Sequence, residues 1–99
     1  MIEITMAARE KIRDIADRER TSLPIRIMPA GGCTACRLGM LFDSRRKDDE
    51  IFEIEGVRYV INGDLLSRLQ SVTVDYAAPP DGSGFFISSR RELDSLVIR

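Results

Sequence analysis

The residues best equipped for chemistry are the chain's two cysteines, Cys33 and Cys36, in the segment Ala30-Gly31-Gly32-Cys33-Thr34-Ala35-Cys36. A thiolate binds soft metal ions or attacks another sulfur, and the adjacent cation Arg37 favours thiolate over thiol. Gly31 and Gly32 allow backbone conformations and close approaches that a side chain would obstruct, which suits a loop wrapped on a bound species. A disulfide between cysteines so close in sequence would close a very small loop and constrain little unfolded-chain entropy, so a structural staple is not expected. The pair therefore reads as metal-binding or redox-active. One C-x-x-C supplies two sulfur ligands, whereas a closed zinc site or an iron-sulfur cluster takes about four, so the arithmetic points to a homodimer or to a bound small thiol. Two alternatives stand beside a metal site. One is a thiol-disulfide module in which Cys33 attacks and Cys36 resolves. The other is a glycine-rich turn with two incidental, reduced cysteines.

Other chemistries are narrowed by composition. Histidine is absent, which removes imidazole from any ligand set, acid-base step or nucleophile activation. No catalytic residue is expected and the chain does not read as an enzyme, thiol redox aside. Fifteen basic and sixteen acidic residues leave a net charge of -1, so no global field favours nucleic acid or an anionic membrane surface. Arg45-Arg46-Lys47 is offset by the acids that follow and has no interleaved aromatic for stacking on bases. Asp48-Asp49-Glu50 lacks the alternating ligands and glycine of a calcium loop, and reads as a solvated connection. Gly82-Ser83-Gly84 precedes a strand and not a helix, so turn geometry accounts for it better than a phosphate cradle. Apolar runs fall far short of the roughly 20 residues of a membrane span, and Met1-Ile2-Glu3-Ile4-Thr5 has no secretory character. No membrane partner is expected, and cytoplasm is the default location.

These residues need a scaffold, and 99 residues suffice for one modest core, so the chain is expected to be a single domain, 1–99. Ala8, Ile12, Ile15 and Ala16 share one helical face, predicting a helix over 6–19 with Thr5 as its N-cap. After Pro24, Ile25 and Ile27 alternate with Arg26 and Met28 as a strand. Leu38, Met40 and Phe42 form a second, ending in a charged, solvated connection from Asp43 to Glu50. Phe52 and Ile54, then Glu55-Gly56, then Val57, Tyr59 and Ile61 spell a hairpin. Asp64 is a plausible cap for a short helix carrying Leu65, Leu66 and Leu69. Val72, Val74 and Tyr76 make a fifth strand, 79–84 a turn, and Phe85 and Ile87 a sixth. Ser89 with Glu92 forms a capping box ahead of Leu93, Leu96 and Val97, predicting a short terminal helix over 90–97 that must dock on the domain or on a partner. The expectation is a compact, β-rich α+β fold with a mixed or antiparallel sheet system and the glycine-rich loop exposed at one end.

Across residues 2–88 the chain resembles the HesB/IscA family of A-type iron-sulfur cluster carriers. The resemblance rests on Ile4-Thr5 with Ala8, Gly31-Gly32-Cys33, Gly39, Phe42-Asp43, Asp48-Asp49, Gly56-Val57, Asp75-Tyr76 and Gly82-Ser83-Gly84-Phe85. It implies the family's compact β-rich fold, an iron-sulfur cluster or iron as cargo with zinc second, and apo-proteins or cluster assembly proteins as partners. Cys33 matches the first of the family's three cysteine ligands. The other two form a Cys-Gly-Cys tail, where this chain has Ser88-Ser89-Arg90-Arg91 and the predicted helix. Cys36 stands where the family usually carries a larger apolar residue, and so is a candidate replacement ligand. The chain is also similar to a divergent HesB-like branch without the cysteine tail. A fold retained as an interaction domain, binding a partner through the C-terminal helix, is a further alternative.

Overall fold

A computed structural model describes residues 2–30, 37–77 and 84–90, with the backbone alone at Ala30 and Arg37. In chain order the elements are β1 (Ile2–Ile4), α1 (Met6–Glu19), β2 (Ile25–Ala30), β3 (Arg37–Phe42), β4 (Asp49–Ile54), β5 (Val57–Asn62), α2 (Gly63–Leu69), β6 (Val72–Ala77) and β7 (Gly84–Ser89). The α+β class is as expected. The strands form a three-stranded sheet, β1-β6-β7, and a four-stranded sheet, β3-β2-β5-β4. Both are mixed: β1 runs parallel to β6 and β2 parallel to β5, and the other pairs are antiparallel.

Helix α1 has the predicted bounds. The Thr5 hydroxyl accepts from the Ala8 N–H at 3.3 Å and donates to Asp75 Oδ1 at 2.8 Å, so one side chain caps the helix and ties it to β6. Its apolar stripe buries Ala8 and Ile12, while Ile15 and Ala16 are partly covered. A single cluster joins Ala8 and Ile12 to Ile25, Ile27, Tyr59 and Ile61 of one sheet and to Ile2, Ile4, Val72 and Val74 of the other. Full burial of each such side chain contributes about 1.5–3 kcal/mol. Burial also raises the Tyr59 phenol to about 12.

Two local readings change. The extra strand, β1, goes unpredicted because Ile2 and Ile4 flanking an exposed Glu3 are too short a run to establish a period. Helix α2 is capped by Asn62 and not by Asp64: Asn62 Oδ1 accepts from the Leu65 N–H at 3.1 Å, and Asp64 lies in the first turn. The β4–β5 hairpin forms as predicted, with Glu55 at φ 51° and Gly56 at φ 82°. Both central residues are in the left-handed region, as a two-residue type I′ turn requires. Arg9 and Arg13 hold the non-glycine corner, reaching the Glu55 carboxylate at 2.9 and 3.2 Å. The predicted terminal helix over 90–97 falls, beyond Arg90, outside the described residues, as does most of the 79–84 turn.

Candidate functional site

Strands β2 and β3 pair along their whole length, from Ile25 opposite Phe42 to Ala30 opposite Arg37. The chain between them, 31–36, is therefore a six-residue connection closed at its base by a strand pair, and it contains both cysteines. Cys33, Cys36, Gly31 and Gly32 themselves lie outside the described residues; Arg37 opens β3. Neighbouring strands lie about 5 Å apart, which fixes where the two ends of the connection stand.

The base of this hairpin is held firmly. Strand β2 is central: β5 pairs with it from Ile25 to Ile27, so Met28, Pro29 and Ala30 project beyond that contact on β3 alone. Ile25 and Ile27 face the core at 4% and 1% exposure, and the alternation turns Arg26 to the opposite face. There Arg26 is not solvated. It is 3% exposed, and its guanidinium meets two carboxylates. Nε donates to Asp43 Oδ2 at 2.8 Å, Nη1 to Asp49 Oδ1 at 2.8 Å, and Nη2 to Asp49 Oδ2 at 2.6 Å and to the Ser44 carbonyl at 3.0 Å. The bidentate geometry is the strong form of the pair. Asp49 also accepts from the Arg46 N–H at 2.6 Å, and Asp43 from the Ser44 N–H at 2.9 Å and from Arg46 Nη2 at 3.0 Å. The hydrogen bonds from Arg26 hold both carboxyls below the usual aspartate range.

This network corrects the reading of Asp43–Glu50 as a solvated connection. Asp49 has 1% side-chain exposure, and its two oxygens are committed to Arg26. The cluster clamps the far end of β2–β3 to the start of β4, opposite the end that carries the cysteines, so it positions the hairpin. The available signal was Arg26 itself, a cation between two core isoleucines on one strand; a buried guanidinium demands carboxylate partners nearby.

No protein-family model matches the chain. Among curated proteins, the iron-sulfur cluster insertion protein ErpA of Histophilus somni is 34% identical over 91 residues, covering 89% of this chain and 80% of ErpA. ErpA of Haemophilus influenzae is 33% identical over 91 residues, with the same coverage. Among solved structures, Escherichia coli SufA, involved in biosynthesis of iron-sulfur clusters, superposes with a TM-score of 0.76 at 19% identity, over 94% of this chain and 83% of SufA. IscA, solved with a [2Fe-2S] cluster, gives 0.75 at 19% identity, over 91% of this chain and 86% of IscA. The two structures share the fold, the ErpA relatives match in sequence across most of both chains, and this chain belongs to the HesB/IscA family.

Proposed function

We propose that this chain is an iron-sulfur cluster or iron carrier that holds its cargo on Cys33 and Cys36 and delivers it to apo-proteins or assembly partners. The observation that carries the reading is the β2–β3 ladder, which ends at Ala30 and Arg37 and closes one short connection around both thiols of the chain. Family membership supports the cargo: ErpA is an insertion protein for such clusters, and IscA has been solved with one. Thiolates are soft donors suited to iron-sulfur clusters, and the sequence supplies no imidazole. Two thiolates per chain make half of the roughly four that a cluster takes, so the loaded species is a homodimer with one hairpin from each protomer. Binding is the task, with no substrate turned over.

Anaerobic reconstitution with ferrous iron and sulfide, followed by absorbance and native mass, tests this. The expected product is coloured, carries the mass of two chains plus cluster, and is lost in Cys33→Ser. A folded, colourless monomer overturns the reading.

A further inference from the structure

Strand β3 ends one side of the four-stranded sheet. The Asp43 N–H donates to the Pro24 carbonyl at 3.0 Å, which sets the phase of the β2–β3 ladder. Bonds to β2 fall at Leu41, Gly39 and Arg37, and the N–H and C=O groups of Leu38, Met40 and Phe42 point away from it. None of these groups has a backbone partner among the described residues. Proteins usually fence such an edge with charge or proline. Strand β4, the opposite edge of the sheet, carries Asp49, Glu50 and Glu53, and β2 has Pro29 where it projects past β5. From Leu38 to Phe42, β3 has neither charge nor proline.

The open edge borders an apolar groove of about 270 Å³. Its walls include Ile12 and Ile15 of α1, Leu38 and Met40 of β3, and Phe85 and Ile87 of β7, and every described residue lining it is apolar or glycine. Three features define what can occupy it. Free N–H and C=O groups at every second residue match an extended backbone, whereas a helix spends its own on internal bonds and an apolar small molecule has none to offer. A groove without charge selects apolar side chains, and strand geometry sends those of an added strand into it at alternate positions. The edge is about 20 Å long and one sheet, about 10 Å, deep, which offers about 200 Å², near a quarter of the roughly 800 Å² per partner that a stable dimer buries. A second folded copy lacks the area here, and a single strand fits.

We propose that the edge of β3 captures an extended segment of another polypeptide, apolar at alternate residues, which adds a strand beside Leu38–Phe42 and turns its apolar side chains into the groove. Strand β3 begins directly after Cys36, so a captured segment abuts the strand end from which the thiol-bearing connection departs. That the segment belongs to an apo-protein receiving cargo rests on the proposed carrier function; the docking itself does not depend on the cargo.

The test uses the full chain without iron, so that docking and cargo binding can fail separately. The probe is a short capped peptide of alternating valine and threonine. At saturation it should slow amide exchange at Leu38, Met40 and Phe42 about tenfold, with Gly39 and Leu41, already bonded to β2, unchanged. N-methylation of the peptide's valine amides and of its threonine amides should differ, one abolishing the effect and the other sparing it, because only one set faces β3. Met40→Pro removes an edge N–H and no bond to β2, so it should abolish the protection, and Met40→Leu should keep it. Circular dichroism and cooperative unfolding report that each variant is folded; if Met40→Pro is not, the two methylated peptides decide. Unslowed exchange or an equal effect of the two methylations overturns the proposal. So does protection of the three amides in the peptide-free chain, since β3 would then already be covered, by a second copy where that protection vanishes on dilution.

Discussion

Replacing Asp49 with alanine tests the buried ion cluster at its strongest contact. The substitution removes both acceptors for the Arg26 Nη atoms and the acceptor for the Arg46 N–H. A guanidinium that is 3% exposed is left with Asp43 as its remaining carboxylate. Breaking a buried pair typically costs 3–5 kcal/mol, and because Asp43 stays on Nε we expect about 2–4 kcal/mol here. For a domain of this size that lowers Tm by roughly 10–25 °C. Asp43→Ala should cost less, because the Asp43 side chain is 25% exposed against 1% for Asp49. Urea unfolding followed by circular dichroism measures both, provided the denaturant slope is unchanged. The double replacement Arg26→Met/Asp49→Leu should recover most of the loss, since apolar residues of similar volume often substitute for a buried pair at little cost. An Asp49→Ala effect below about 0.5 kcal/mol, the range of ordinary surface changes, or a larger effect at Asp43, would refute the assignment.

Three further outcomes follow from the same geometry. Asp43 and Asp49 have depressed folded-state pKa values, chiefly through hydrogen bonds from Arg26, so the unfolded chain takes up protons first. Their contribution is complete above about pH 4 and is lost as pH falls further; stability measured against pH should show that acid limb, shallower in Asp49→Asn. Tyr59, raised to about 12 by burial, favours the folded state while neutral. That contribution fades as pH climbs from about 10 toward the folded value, and absorbance at 295 nm should show a tyrosinate arising late, which Tyr59→Phe removes. Glu55 sits at φ 51° with two exposed arginine contacts. Glu55→Gly relieves about 1–2 kcal/mol of left-handed strain and forfeits ion pairs of about 0.2–1 kcal/mol each, so urea midpoints should barely move, whereas Glu55→Val should destabilise clearly.

Where a residue's local pattern and its tertiary role agree, the structure was legible beforehand. The stripe Ala8, Ile12, Ile15 and Ala16 with Thr5 in front defines α1 to the residue, and Glu55-Gly56 between alternating strands defines the hairpin. Strand β1 escaped because three residues carry no period, and it forms only when β6 offers a parallel edge. The α2 cap was misplaced by two positions because Asn62 and Asp64 are both capping residue types, and only the backbone decides between them. The larger miss was the Arg26 cluster. Charge runs such as Asp43–Glu50 are usually solvated, and nothing local shows that Asp43 and Asp49 converge on a strand 17 and 23 residues upstream. At the candidate site, spacing identified the thiol pair. Its attachment to a strand pair that is clamped at the opposite end came from the fold.

Whether Cys33 and Cys36 hold the cargo is decided by assaying iron and acid-labile sulfide in protein purified without oxygen, alongside Cys33→Ser and Cys36→Ser. We predict iron and sulfide in equal amounts, about one or two of each per chain for a cluster shared by two protomers, and loss of both in each serine variant. Metal-free protein, or variants that retain the parent's iron and sulfide, would contradict the claim.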